Sequence, residues 1–239
     1  MIASNHEERS ARMHDKKPRR IGRISESDLN ADLERYRRLA LELGASDAKI
    51  ISEKEVHVDS RVRAKCIIPK CPEYGSSAHC PPNMPEPEKI REFVQAFKHA
   101  LLMKLDLDSF LIAGEGLGMA DEDGKLVPTK ALAELLATYR KFTGILTEIE
   151  SHAFYDGHYF ATAFSAASCH SVLCNFNECQ VLKNQPCRFP LRSRPSMEAS
   201  SMDVYRMVTE AGWDIYPIGF SCNPANVPHG TLAGLVLIC

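Results

Sequence analysis

The sequence lacks the features of a membrane or secreted protein. No apolar run reaches the ~18 residues that a membrane-spanning helix needs, and the N-terminus has no apolar core of a secretory signal. A net charge of −2 gives the chain no general attraction to nucleic acid or to acidic membranes. These absences predict a cytoplasmic protein that binds neither nucleic acid nor a membrane.

Cysteine is absent from residues 81–168 but concentrated on either side of that gap. Seven of the nine cysteines fall in two short windows. A secreted disulfide scaffold is usually shorter and carries its cysteines throughout, and nine is an odd number. Disulfides remain an alternative, but the clustering favours metal ligation, because thiolates are soft, anionic ligands.

The remaining composition is that of a soluble globular protein, with 44% hydrophobic and 25% charged residues in 239. Residues 1–22 are polar and charged, which predicts a disordered N-terminal tail. Residues 23–239 are expected to form a single domain, since no stretch among them has the composition of a linker.

Helical and strand patterns alternate along this domain. Apolar periodicity and capping residues predict helices at 27–43, from Pro87 onward, 129–155 and 197–211. Strands are expected at 48–52, 56–66, 101–107, 159–164, 213–220 and 232–238, with a hairpin turn at Glu53-Lys54 that places Cys66 at a strand end. The interleaving predicts an α/β or α+β fold, a mixed β-sheet covered by helices, with two cysteine-rich metal-binding loops.

A glycine-rich stretch, Gly114-Glu-Gly116-Leu-Gly118, is better interpreted as part of a mobile loop continuing to Gly124 than as a phosphate-binding loop. It has neither the G-x-G-x-x-G spacing nor the lysine of a Walker loop.

The two cysteine groups contain different numbers of cysteines. The first contains three cysteines with spacing C-x4-C-x8-C, and the second contains four with spacing C-x4-C-x4-C-x7-C. The expected metal ligands are Cys66, Cys71 and Cys80 in the first group, and Cys169, Cys174, Cys179 and Cys187 in the second. Three thiolates on a four-iron cluster would leave one iron open for chemistry, unless His79, His170 or another cysteine is the fourth ligand. Four thiolates can close a cluster suited to electron transfer.

The spacing favours iron–sulfur over zinc, because zinc ribbons use C-x2-C turns and this sequence has none. Basic residues flank both groups, and such cations stabilise thiolates and anionic clusters. Arg63 beside the first group and Arg188 beside the second are the expected cofactor-binding residues.

Two motifs resemble a known family. The first is Cys66-x4-Cys71-Pro-Glu-Tyr-Gly-x4-Cys80-Pro-Pro, and the second is Pro186-Cys-Arg-Phe-Pro-x4-Pro-Ser-Met-Glu-Ala199. Together with the closing run of residues 234–238, they resemble a family of predicted metal-binding proteins of unknown function that is common in anaerobic bacteria and archaea. The resemblance implies metal binding, with iron–sulfur expected, by the seven cysteines. Those relatives space their first three downstream cysteines as C-x2-C-x2-C, whereas both gaps here are x4.

Three functions follow as hypotheses. The first is a cytoplasmic protein with one or two iron–sulfur clusters, expected as 4Fe-4S, that transfers electrons or performs redox chemistry at an open iron. Its partner would be a redox protein or a small-molecule substrate. The second is a zinc-stabilised interaction module without enzymatic activity. The third is a sulfur-handling enzyme that uses a cysteine nucleophile, for which the sequence offers no convincing base.

Overall fold

A four-stranded antiparallel sheet lies at the centre of the computed structural model, which describes residues 18–113, 119–120, 126–127, 129–219 and 221–239. Its strands are β1 (Asp47–Ser52), β2 (His99–Leu107), β5 (Thr162–Phe164) and β6 (Gly230–Leu237), in the spatial order β1-β2-β6-β5. Two-residue strands β3 (Met119–Ala120) and β4 (Leu126–Val127) pair separately.

Helices cover both faces of this sheet. They are α1 (Glu26–Glu42), α2 (Ser60–Lys65), α3 (Pro87–Gln95), α4 (Ser109–Ile112), α5 (Lys130–Tyr155), α6 (Cys169–Val172) and α7 (Val204–Glu210). Short 3-10 turns occupy Glu53–Glu55, Val181–Lys183 and Pro224–Asn226. None of the helices in the described residues is both long and apolar enough to cross a membrane.

Strand β2 is apolar on both faces because each face is covered. Leu102 packs with α3 and α7 in one core cluster, whereas Leu101 and Met103 pack with α1 and α5 in the other. A strand that is buried on both faces typically has a continuous run of apolar residues, and residues 100–103 form such a run. The result is a layer of helices on each side of the sheet, as expected for an α+β domain.

Side-chain caps begin several helices as the sequence predicts. Thr129 Oγ1 accepts from the Leu132 amide at 3.0 Å and begins α5, and Pro87 occupies the first turn of α3. Helix α1 is capped by Ser25 rather than Ser27. The fold of a β-sheet covered by helices is therefore confirmed, with a sheet whose strands all pair antiparallel. Three of the four expected helices and the strands β1, β2 and β6 are confirmed as well.

Three expected elements are wrong. Residues 56–66 are not a strand: Asp59 caps helix α2, and the strand pairing there is a single bridge between Val58 and Met202. Helix α7 spans less than half of the expected 197–211, because residues 197–201 form turns. Residues 213–219 form no strand, and residue 220 lies outside the described part of the chain.

Some expectations fall on residues that the structure does not describe. The expected loop of residues 114–124 lies outside the described residues except for 119–120, and so do residues 1–17 of the expected N-terminal tail. Arg19, which is described, donates its amide to Tyr155 O at 2.8 Å and pairs with Asp32 at 2.6 Å.

Candidate metal centre

The four downstream cysteines line one cavity of about 270 Å³. Cys169 is the first residue of α6, and the Cys174 amide donates a hydrogen bond to Cys169 O at 3.2 Å. Cys179 and Cys187 flank the 3-10 turn Val181–Lys183. The thiols thus come from one folded segment, whose apolar members Leu173, Val181, Phe189 and Pro190 form part of the cavity wall.

The backbone of this segment adopts unusual conformations. Asn175, Phe176 and Asn184 have positive φ angles of 49°, 61° and 57°. Asparagine tolerates this left-handed region, but it is unfavourable for phenylalanine. The Phe176 ring packs edge-on against His170, with 5.9 Å between ring centroids, which helps to hold the strained residue in place. Such strain often marks functional loops.

The three upstream cysteines lie on the connection between α2 and α3. Cys66 ends α2, and the Cys71 amide donates to Cys66 O at 3.0 Å. Burial raises the pKa of the Cys66 thiol, and the charges of Cys71 and Cys80 raise it further, so these three thiols lie within electrostatic range of one another. Cys80 is buried.

The two groups meet, although 88 residues separate Cys80 from Ser168. Cys80 Sγ lies 3.3 Å from Ser168 Oγ, and Cys169 Sγ lies 3.7 Å from His79 Nδ1. His79 Nδ1 is also 3.2 Å from Ser193 Oγ. Burial, and the positive charge of Arg194, lower the pKa of His79, so its imidazole is neutral at pH 7.

The Glu73 carboxylate joins the two segments. Its Oε2 accepts from Ser76 Oγ at 2.6 Å and Ser168 Oγ at 3.1 Å, and it lies 2.9 Å from His170 Nδ1. A carboxylate behind a ligand-bearing segment orients the donors of a metal site. Sequence reasoning missed Glu73 and Ser168. Glu73 lies inside the Cys-Pro-Glu-Tyr motif and Ser168 directly precedes Cys169, and these positions could have indicated that both residues belong to the site.

A second ion pair anchors the end of the downstream segment. Arg194 Nε donates to both oxygens of Glu150, on α5, at 2.9 Å, and Glu150 Oε1 also accepts from the Ala163 amide of β5 at 2.8 Å. The cavity wall is therefore fixed to the central sheet.

Burial raises the pKa of Cys169 to about 11, although hydrogen bonds with Ser193 and Ser77 oppose the shift. At pH 7 the metal-free side chain is a thiol. A buried, protonated thiol is a poor nucleophile, so the metal-free side chain is not poised for covalent catalysis.

The two arginines expected to bind a cofactor, Arg63 and Arg188, have different surroundings. Arg63 is 7% exposed, pairs with Glu86 at 3.0 Å and donates to Pro85 O at 3.2 Å, and its charge opposes the rise in the pKa of Cys66. Arg188 lines the cavity and donates to Glu178 O at 2.7 Å. Both are close enough to influence a bound anionic group.

All nine cysteines lie in the described residues, and all are free thiols. Within that part of the chain, no three His, Cys, Asp or Glu side chains are gathered tightly enough to hold a single metal ion. In a cluster, iron and sulfide atoms separate the thiolates, so its ligands stand further apart than those of one ion. Four thiols around a cavity are a donor set that fits such a cluster.

An antiparallel sheet covered by helices, with seven free thiols in two groups, defines a cysteine-rich α+β protein whose thiols are candidate metal ligands. The model of the family of predicted metal-binding proteins (DUF2284) matches residues 49–238. The chain belongs to this family, whose function is unknown, and the resemblance inferred from its two motifs is confirmed. No curated protein and no solved structure matches the chain.

Proposed function

We propose that this protein carries one or two iron–sulfur clusters, of the 4Fe-4S type, and transfers electrons or performs redox chemistry at an open iron. The observation that carries the proposal is the cavity lined by all four downstream cysteines, together with the contact between Cys80 of the upstream group and Ser168, which directly precedes Cys169. Soft thiolates in this number are the donor set of iron–sulfur proteins.

Within this proposal the downstream group, Cys169, Cys174, Cys179 and Cys187, holds a cluster with four thiolates. The upstream group, Cys66, Cys71 and Cys80, would hold a cluster with three. His79, a neutral imidazole on the same segment, has its Nδ1 3.7 Å from Cys169 Sγ. When bound, the clusters would supply one-electron chemistry. The protein orients the thiols through Glu73 and Ser168 and surrounds the downstream group with apolar side chains.

The proposal includes a cytoplasmic location. Nine free thiols in a chain of this size suit a reducing compartment, since an oxidising one would pair many of them as disulfides.

Metal analysis after anaerobic purification tests the proposal directly. We expect iron and acid-labile sulfide in comparable amounts, a brown protein, and an EPR signal on reduction. Cys187→Ser should lower the iron content, whereas Cys222→Ser, which changes a free thiol outside both groups, should not. Stoichiometric zinc without iron would instead identify the structural zinc module and refute the iron–sulfur proposal.

A further inference from the structure

Large apolar side chains are exposed along the downstream cysteine segment. Phe176, Val181, Leu182, Phe189 and Leu191 are 43%, 39%, 44%, 36% and 81% exposed. Single exposed apolar residues are common on protein surfaces, but a concentration of five within one short segment is not. We call these five residues the apolar rim.

The apolar rim lies at the mouth of the cysteine cavity. Val181 and Phe189 both line the cavity and are exposed, so the cavity reaches the surface between them. Phe176 packs against His170, which is another lining residue. Leu182 and Leu191 continue the same segment outward and line no part of the cavity. A molecule seated on the rim would therefore cover the opening to the thiols.

The same segment is positively charged. Residues 169–194 contain four basic side chains, Lys183, Arg188, Arg192 and Arg194, and one acidic side chain, Glu178, whereas the whole protein has a net charge of −2. Glu150 of α5 pairs with Arg194, so the excess of positive charge at this surface is +2. Among the described residues no carboxylate pairs with Arg188, which donates to a backbone carbonyl. Arg140 of α5 is also exposed there and donates to Val172 O and Asn175 Oδ1.

We propose that the apolar rim is the docking surface for an acidic electron-transfer protein, an inference that rests on the proposed function. The positive segment attracts a negatively charged partner and accelerates encounter, and the rim supplies the desolvated contact that holds it. Transient redox pairs bury small interfaces, so five apolar side chains around one opening are sufficient. Two copies of this chain would bring like-charged segments together, which opposes self-association through the same surface.

The test uses the full-length protein with its metal, under anaerobic conditions, and a purified acidic bacterial ferredoxin as the probe. Biolayer interferometry should show saturable binding of the ferredoxin that weakens by about tenfold or more when the ionic strength rises from low to physiological values. A basic c-type cytochrome should not bind. Equal binding of both probes, or ferredoxin binding that is insensitive to salt, would overturn the proposal.

Matched variants identify the surface. Leu191→Asp should weaken ferredoxin binding by about tenfold, because it places a charge in the apolar contact. Its control is Phe160→Asp, which changes a side chain 70% exposed outside the rim. Lys183→Glu should slow association by about threefold. Its control is Lys89→Glu, since Lys183 and Lys89 each form one exposed ion pair, with Glu178 and Glu92. Controls that weaken binding as much as the rim variants would refute the docking site.

Other occupants of the rim give distinct results. Concentration-dependent dimers in sedimentation, or binding to vesicles of anionic phospholipid, that Leu191→Asp abolishes would overturn the proposal in favour of a second copy or a membrane. Iron and sulfide in a protein that does not bind ferredoxin would overturn the docking surface and leave the proposed function standing. Ferredoxin binding by a protein that contains zinc alone would support the docking surface and overturn the proposed function.

Discussion

Replacing Cys169 by serine should reduce by one the number of protons released when metal binds to the downstream cysteine group. Burial raises the pKa of this thiol to about 11, and a metal ligand must be the thiolate. At pH 7 the side chain is about four pH units below its pKa, so removing its proton costs about 5 kcal/mol, at 1.36 kcal/mol per unit. This cost opposes metal binding at neutral pH.

The sign of the pH dependence follows from this cost. Raising the pH toward 11 reduces the cost of deprotonation, so the apparent metal affinity rises by about tenfold per pH unit through this ligand alone. Above the pKa of Cys169 its contribution is constant. Lowering the pH has the opposite effect and favours loss of the metal.

The assay is retention of metal by the loaded protein against a chelator, across about two pH units around neutrality. The slope of log apparent affinity against pH should be smaller by about one for Cys169→Ser than for the wild type, and unchanged for Cys222→Ser. The pH dependence of the chelator cancels in this comparison. Identical slopes for Cys169→Ser and the wild type would show that Cys169 keeps its proton and is not a ligand.

Three further predictions concern packing and charge. A Cβ on Gly234 would lie 2.6 Å from Leu146 Cδ1, so Gly234→Ala should lower the free energy of unfolding by about 1–3 kcal/mol in urea titrations. Gly144→Ala, with nothing within 4 Å, should raise it by about 0.5–1 kcal/mol, and the opposite order would contradict the packing of α5 on β6. Burial opposes ionisation of Asp32, but hydrogen bonds from two arginines and a histidine outweigh it and lower its pKa, so thermal stability should fall as the pH drops through that pKa. Asp32→Asn should be less stable at pH 7 by about 1–3 kcal/mol and should lose less in acid; an unchanged acid profile would contradict this. Glu73→Gln should weaken metal retention by about 10–100-fold with the fold intact by circular dichroism, and full retention would show that this carboxylate does not support the site.

Local patterns predicted the elements that local physics controls. Helix α5 could be predicted from the sequence because Thr129 caps it and its apolar residues recur at helical spacing over many turns. Strand β2 was predictable because apolar and polar residues alternate after Leu102. In residues 56–66 the alternation of Val56, Val58 and Val62 suggested a strand, but so short a pattern also fits a capped helical turn. Asp59 decided for the helix.

Sequence alone established that two groups of cysteines are present, that their number exceeds what a single zinc ion needs, and which family the chain resembles, because clustering and spacing are properties of the chain itself. Tertiary structure alone decided that the groups meet. The contacts of Cys80 with Ser168 and of His79 with Cys169 join segments about 90 residues apart. Sequence periodicity cannot predict such a contact. The contact depends on how the sheet and α5 bring the two loops together, and on the Glu73 carboxylate, which binds residues of both loops.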